Sequence, residues 1–293
     1  MTSRLSLIWI GVAGLSTLVT GCGKDGGASL DWGTAAQWGE APGETSWEWI
    51  LDTEALSDSP PAVDFLGLEG LDVSARFVEA AVDQGSTPWC YLSVGSAEDW
   101  RDDYAELAAL DEAERAAGRD GILGRDYDGW AGERWLNVAD YPVFIGVMEA
   151  RLDVCAAKGF QLVEYDNMET DGDTAGFDFG QAEVREYVGA LLDATEARGM
   201  GAIHKNATHL IDLEPRFDAL LLEDCVLWGF CVEAEPYVSA GKPVFNAEYP
   251  QSWRDEGEEF DLDRVCRDHG GVSTLVKRLS LDADTIVCAA QGD

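Results

Sequence analysis

Short apolar segments alternate with helical patterns along most of this 293-residue sequence and predict an α/β fold, a single-domain (β/α)8 TIM barrel. Strands that alternate with helices pair in parallel through right-handed crossovers. About seven or eight such units in roughly 245 residues fit a closed barrel better than an open sheet. No GxGxxG follows the first predicted strand and no GxxxxGK precedes Ser or Thr, so the nucleotide-binding folds lose support.

The predicted elements follow from hydrophobic periodicity. Gly159 and Gly199 follow two of the helices, where a C-terminal stop is expected. The polar insertion around Asp111–Gly132 is predicted to form a loop at one mouth of the barrel. The predicted strands are Trp47–Leu51, Ala62–Leu66, Thr87–Val94, Gln161–Tyr165, Gly201–His204, Ala219–Glu223 and Pro243–Glu248. The predicted helices are Val73–Gln84, Tyr104–Ala117, Val143–Lys158 and Gln181–Arg198, the last with an apolar stripe of Val184, Val188, Leu191 and Leu192.

The N-terminal residues have the pattern of an export signal. Arg4 precedes an apolar run from Leu5 to Leu18, which is too short for a membrane span. The run ends at Cys22 in Val-Thr-Gly-Cys, which resembles a bacterial lipoprotein box; an ordinary signal with a chance cysteine is the alternative. We therefore expect a signal peptide at 1–21, a lipidated Cys22 with a flexible tether at 22–44, and the barrel at 45–293. Such a protein is exported to the bacterial cell envelope and held at a membrane by its lipid alone.

The charge of the chain excludes some partners. It has 56 acidic against 20 basic residues, a formal net charge of -36. Nucleic acids and anionic membrane surfaces are disfavoured, because basic residues must neutralise phosphate. A cationic partner is favoured by long-range attraction, although solubility alone also accounts for an acidic surface.

The cysteines and histidines point to disulfides rather than to a metal. With Cys22 lipidated, six cysteines remain in an exported context, and they allow 15 connectivities. Cys225 and Cys231 are the closest pair and the first candidate bridge. The sequence has no CxxC and three His, so we expect neither a structural zinc site nor a cofactor.

Polar side chains follow four of the predicted strands, at the ends where active sites of such barrels lie. Paired carboxylates without a His, Ser or Cys partner are typical of the active sites of glycoside hydrolases. A metal site of Glu164, Asp166 and Glu169 is the main rival, although it lacks the turn of an EF-hand. Aromatic residues near these ends could supply flat surfaces for sugar rings. The strand-end residues are Glu164–Glu169, His204–Asn206, Glu223–Cys225 and Asn246–Tyr249, and the aromatic candidates are Trp47, Trp49, Trp130, Trp135 and Trp253.

An ordered set of segments resembles glycoside hydrolase family 114, the endo-α-1,4-polygalactosaminidases, which have a TIM-barrel fold. The resemblance runs from about Trp47 to Leu281, and the ordered set carries it rather than any single motif. The segments are Trp47–Trp49, Cys90–Arg101, Trp130–Leu136, Arg151–Asp153, Gly159–Phe160, Glu164–Asn167, Lys205–Asn206, Glu223–Cys225, Gly241–Phe245 and Glu248–Tyr249.

The resemblance implies that Asp166 is the nucleophile and Glu223 the general acid/base. It also implies an ion pair between Arg101 and Asp99, which either stabilises the structure or orients the substrate. Three positions depart from the family pattern: Glu69 and Glu169 stand where Asp is usual, and Asp224 stands where Gln is usual. The implied substrate-binding residues are Glu164, Asn167, Lys205, Asn206, Glu248, Tyr249, Arg101 and Glu69.

Two functions remain open from the sequence. The first is an exported, lipid-anchored, monomeric endo-glycosidase of retaining mechanism, which cleaves an α-1,4-linked galactosamine-containing polysaccharide. The second is a non-catalytic surface lipoprotein that binds such a polymer, since a barrel fold does not guarantee catalysis. A metal-dependent hydrolase ranks third.

Overall fold

Eight parallel strands and one antiparallel strand form a nearly closed sheet, in a computed structural model that describes residues 45–288. Its order is β1-β2-β3-β7-β8-β9-β10-β11-β12, and only the last pair is antiparallel. The α/β barrel prediction is confirmed. In chain order the strands are β1 (Trp47–Ile50), β2 (Phe65–Glu69), β3 (Thr87–Ser93), β4 (Ser96–Glu98), β5 (Leu123–Asp126), β6 (Glu133–Leu136), β7 (Leu162–Asp166), β8 (Gly201–Lys205), β9 (Ala219–Glu223), β10 (Val244–Glu248), β11 (Ser273–Lys277) and β12 (Thr285–Val287).

The seam of the barrel lies between β1 and the β11–β12 pair, in which β12 is the other edge strand of the sheet. The backbone N–H of Leu51 donates to the carbonyl of Leu281 at 2.9 Å. Below it, Lys277 Nζ lies 2.7 Å from Glu48 Oε1, and the Thr285 hydroxyl donates to Glu48 Oε2 at 2.7 Å. All three side chains are buried. The seam is therefore closed by a buried ion pair and its hydrogen bonds, together with this short backbone link.

Helices cover the outside of the sheet. Ser74 caps α1 by accepting a hydrogen bond from the Phe77 N–H, and Gly159 ends α3 with a φ of 91°. The apolar stripe predicted for α5 is buried. The helices are α1 (Ala75–Asp83), α2 (Tyr104–Ala116), α3 (Tyr141–Lys158), α4 (Gly172–Ala175), α5 (Gln181–Glu196), α6 (Cys225–Trp228), α7 (Glu235–Ser239), α8 (Pro250–Asp255) and α9 (Leu262–Val265).

The interior of the barrel is aromatic. Trp47 and Trp89 pack on Phe245 with ring centroids 4.9 and 5.5 Å away. Gly67 faces this cluster, where an added Cβ would lie 2.3 Å from the Trp89 ring, so only glycine fits. The two Trp of β1 and Trp253 are almost fully buried, and Trp135 is 6% exposed. Of the five expected sugar platforms, only Trp130 is exposed, at 53%.

The insertion after β3 is structured, which corrects the loop predicted for residues 111–132. The helix α2 occupies its first part. The strands β4, β6 and β5 then form a separate antiparallel sheet in that order. Alternation along β5 and β6 is weak because both strands are only four residues long. This small sheet stands beside the mouth of the barrel.

Three disulfides join Cys90 to Cys155, Cys225 to Cys231, and Cys266 to Cys288. The first candidate pair, Cys225 with Cys231, is confirmed. The predicted signal peptide, lipidated Cys22 and tether lie outside the described residues. Within residues 45–288, no helix is long and apolar enough to cross a membrane.

Candidate active site

Three neighbouring strands bring Asp166, Lys205 and Glu223 to one point at the mouth of the barrel. These residues are the last of β7, β8 and β9. Side chains alternate along a strand, and Leu162, Ile203 and Leu221 belong to the inner core. The residues two or four positions further along therefore face the same way, toward the axis of the barrel. The three side chains meet because each ends its strand and each points toward the axis of the barrel.

Lys205 is the centre of this arrangement. Its Nζ lies 2.9 Å from Asp166 Oδ1 and 2.6 Å from Glu223 Oε2. It also lies 5.2 Å from the centroid of the Trp49 ring. The lysine side chain is only 2% exposed. Despite burial, which lowers it, the pKa of Lys205 is held well above its usual value by the charges of Asp166 and Glu223.

Each carboxylate also accepts a hydrogen bond from a tyrosine. The Tyr91 hydroxyl donates to Asp166 Oδ2 at 2.8 Å, and the Tyr249 hydroxyl donates to Glu223 Oε1 at 2.5 Å. Tyr91 was not among the residues expected from the sequence. Its position depends on the pairing of β3 with β7, which places Tyr91 beside Glu164.

Asn206 fixes the position of Glu223. Its Nδ2 donates to Glu223 Oε2 at 3.0 Å, and its Oδ1 accepts the backbone N–H of Glu223 at 2.9 Å. Burial raises the pKa of Glu223, but the charge of Lys205 and the bonds from Lys205, Tyr249 and Asn206 outweigh it and leave the pKa lowered. Glu223 is therefore ionised at neutral pH when no substrate is bound.

Glu164 lies beneath the lysine and is fully buried. The Trp89 indole N–H donates to its Oε2 at 2.7 Å, and its Oε1 lies 4.0 Å from Lys205 Nζ without a hydrogen-bond partner. Burial raises the pKa of Glu164 to about 8, although the Lys205 charge opposes this shift. Glu164 thus supports Lys205 from below and does not face the open site.

Glu169 stands at the same mouth, in the turn after β7. Its Oε2 is buried and without a hydrogen-bond partner. Burial and the charge of Asp166 raise its pKa to about 7. Burial and, after it, the Glu169 charge raise the pKa of Tyr127, which follows β5. The small sheet therefore borders the site on this side.

Asn167 and Glu248 take other positions than expected. Asn167, with a φ of 65°, turns away and donates to Ser93 Oγ at 2.9 Å and to Glu133 Oε1 at 3.2 Å. Glu248 lies on the outer face of β10, where Oε1 accepts the Val226 N–H at 2.7 Å. Both side chains fix loops around the site and do not line it.

Arg101 and Glu69 form a separate buried cluster. The Arg101 guanidinium lies 2.8 Å from both Glu69 oxygens and 2.8 Å from Glu98 Oε2. The expected pairing of Arg101 with Asp99 is wrong: Asp99 is exposed, and its neighbour Glu98 points inward instead. The cluster ties the end of β2 to the small sheet and makes no contact with the two paired carboxylates.

The arrangement of these side chains does not support the alternative metal site of Glu164, Asp166 and Glu169. Among residues 45–288, no three His, Cys, Asp or Glu side chains are placed to hold a metal ion. His204 faces outward, where Nδ1 lies 2.8 Å from the Tyr237 hydroxyl. The cation beside the strand-end carboxylates is Lys205.

Comparison with known proteins places the chain among carbohydrate-active enzymes. Residues 29–292 match the glycoside-hydrolase family GH114. The structure is similar to that of Ega3 from Aspergillus fumigatus in complex with galactosamine, with 28% identity, a TM-score of 0.72, and coverage of 83% of this chain and 95% of that one. The glycoside hydrolase domain of PelA from Pseudomonas aeruginosa shares the fold, with 18% identity, a TM-score of 0.55, and coverage of 84% and 99%. No protein with a curated description matches the chain significantly.

Proposed function

The chain belongs to glycoside hydrolase family GH114, and from this premise we propose that it cleaves α-1,4-linked galactosamine polymers internally, with Asp166 and Glu223 as its catalytic residues. It is a glycoside hydrolase by family. The observation that carries the residue assignment is the pair of carboxylates held by one lysine at the mouth of the barrel.

The spacing of the two carboxylates supports a retaining mechanism. Since Lys205 Nζ lies 2.9 Å from one and 2.6 Å from the other, their facing oxygens are no more than 5.5 Å apart. Retaining glycosidases hold the two groups about 5–5.5 Å apart, whereas inverting enzymes leave about 6.5–9.5 Å for a water molecule.

In the first step Asp166 attacks the anomeric carbon while the glycosidic C–O bond breaks. Glu223, whose lowered pKa leaves it ionised in the free protein, first binds a proton from solvent, and the departing oxygen then takes this proton. In the second step Glu223 removes a proton from water, and the water oxygen attacks the anomeric carbon. The ester bond to Asp166 breaks and its electron pair returns to the aspartate. Water is the only co-reactant.

The charge of the protein supports an amino sugar as substrate. Free amines of galactosamine are cationic at neutral pH, and the chain carries a formal net charge of -36. At the site two catalytic carboxylates share a single cation, Lys205. The similar protein Ega3 was solved in complex with galactosamine.

Incubation of the full chain with an α-1,4-linked galactosamine polymer tests the function. We expect mass spectrometry to find a ladder of oligomers, because an endo-acting enzyme cuts within the chain. NMR should show the α-anomer as the first product if configuration is retained. Release of monosaccharide alone would refute endo action, and a β-anomer would refute retention. Tight binding of the polymer without any products would instead favour the non-catalytic binder.

We also propose that the protein is exported and anchored by a lipid on Cys22. The support is the sequence alone: an apolar run ends at Val-Thr-Gly-Cys, and a Gly-rich tether follows it. Mass spectrometry of the protein expressed in a bacterium is expected to find an acylated Cys22 as the first residue. A mature N-terminus at another residue, or an unmodified Cys22, would contradict the proposal.

A further inference from the structure

Lys205 touches both catalytic carboxylates and is almost inaccessible to solvent. Its Nζ lies 2.9 Å from Asp166 and 2.6 Å from Glu223, and its side chain is 2% exposed. A lysine so deeply buried and so fully paired is poorly placed to bind a sugar, which is the role expected for it from the sequence. We infer that Lys205 is a positioning residue, the shared counter-ion for a negative charge that moves between Asp166 and Glu223 during the reaction.

The charge movement follows from the two steps, and the inference rests on the proposed function. Once Glu223 has bound the proton that it donates in the first step, the negative charge of the catalytic pair lies on Asp166. When the ester forms, Asp166 becomes neutral and Glu223, having lost its proton to the leaving oxygen, becomes ionised. The second step reverses both changes. The two catalytic residues therefore share one carboxylate charge throughout, first on Asp166 and then on Glu223.

A single fixed cation can neutralise this charge in both states only if it touches both residues. Lys205 does so at hydrogen-bond distance, so no ion or side chain has to move when the charge does. Dissolved cations cannot replace it, because a buried pair is little affected by salt. The ammonium also lies 5.2 Å from the centroid of the Trp49 ring, which attracts a cation whichever carboxylate is charged.

Other titratable groups surround the lysine and must be considered. Glu164 lies 4.0 Å below Lys205, and its pKa of about 8 leaves it mostly neutral at pH 7. The Lys205 charge thus remains available to the two catalytic carboxylates. Glu169, with a pKa of about 7, faces the site from the turn after β7. The other facing groups are the hydroxyls of Tyr91, Tyr127 and Tyr249, whose raised pKa values keep them neutral.

Lys205→Met tests the inference through the pH dependence of kcat/KM. The rate on the polymer is expected to fall about 10²–10³-fold, as when one transition-state donor is removed. Both limbs of the pH profile should also move to higher pH. The substitution removes the cation that lies 2.9 Å from one carboxylate and 2.6 Å from the other, and loss of a neighbouring cation disfavours the charged form of a carboxylate.

Three further variants separate this role from a structural one. Lys205→Arg keeps the charge and should keep both limbs near their wild-type positions, even if its rate is lower. Tyr249→Phe removes a bond that lowers the pKa of Glu223, so it should move only the alkaline limb to higher pH. Lys242→Met is the matched control: Lys242 is ion-paired to Glu214 at 2.7 Å, but it precedes β10 at the opposite end of the barrel. It should move neither limb.

A fall in rate with unmoved limbs in Lys205→Met would overturn the inference. If that variant does not fold, a shift of both limbs in Lys205→Arg would overturn it equally. Carbon-13 NMR titration of labelled Asp and Glu carboxyl groups needs no substrate. If wild-type protein fails to cleave the polymer, the proposed function fails, whereas identical titration curves in wild type and Lys205→Met show separately that the lysine is not the shared counter-ion.

Discussion

Asp166→Asn is expected to lower kcat/KM on the galactosamine polymer by about 10⁴–10⁶-fold, because the amide cannot form the ester to the anomeric carbon. Glu223→Gln is expected to lower it by about 10²–10⁴-fold, because the leaving oxygen no longer receives a proton. Both substitutions keep the size of the side chain, so the midpoint of thermal unfolding should stay close to that of the wild type. Initial rates at several polymer concentrations provide the measurement.

A substrate with an acidic leaving group distinguishes the two roles. An aryl α-galactosaminide needs little protonation of its phenolate, so it should restore much of the first-step rate in Glu223→Gln and none in Asp166→Asn. Restoration in Asp166→Asn instead would mean that the roles are exchanged. The matched control is Asp193→Asn, on the outer surface of α5, where Asp193 is 75% exposed. Wild-type rates in both site variants would remove these residues from the mechanism.

Arg101→Met is expected to lower the free energy of unfolding by about 3–5 kcal/mol, since it leaves two carboxylates buried without a cation. The side chains of Glu69, Glu98 and Arg101 are 8%, 5% and 6% exposed. Burial already raises the pKa of Glu69 even though Arg101 opposes the shift. Without the arginine the folded state binds protons more readily than the unfolded chain, so stability should fall as pH rises. Urea unfolding in acidic and alkaline buffer measures both effects.

Arg185→Met is the control for this loss. Arg185 pairs with Asp212 at 2.8 Å, but the two side chains are 33% and 65% exposed, so the change should cost less than about 1 kcal/mol. Equal losses in the two variants would mean that the Arg101 cluster does not stabilise the fold through its buried charges.

The sequence predicted most of the barrel, and the exceptions have local causes. The second strand is predicted at Ala62–Leu66 but lies at Phe65–Glu69, and Gly67 interrupts its apolar pattern. The glycine instead makes room for the Trp89 ring, a contact between strands that no local pattern contains. The eighth parallel strand, Ser273–Lys277, was not predicted, since its two hydroxyl residues and terminal lysine make a short and weak apolar signal.

The part of the site that depends on strand ends and on the alternation of side chains could be predicted from the sequence. The strand-end rule brought together Asp166, Lys205 and Glu223, with Asn206 and Tyr249 beside them. Alternation could have placed Glu248 correctly, because Phe245, Ala247 and Tyr249 all face inward. The contact of Tyr91 with Asp166 requires knowing which strands are neighbours, and the sequence between them is occupied by the small antiparallel sheet. The pairing of β3 with β7, which the sequence pattern does not contain, therefore determines this contact.

The seam of the barrel has a consequence for the order in which the chain can assemble. Glu48 and Lys277, the ion pair that closes the seam, are 229 residues apart. While the chain is being synthesised, Glu48 leaves the ribosome long before its partner, and burying it alone would leave a charge without a cation. Closure therefore waits for the last parallel strand. Until then the seam lacks the cation with which Glu48 is buried.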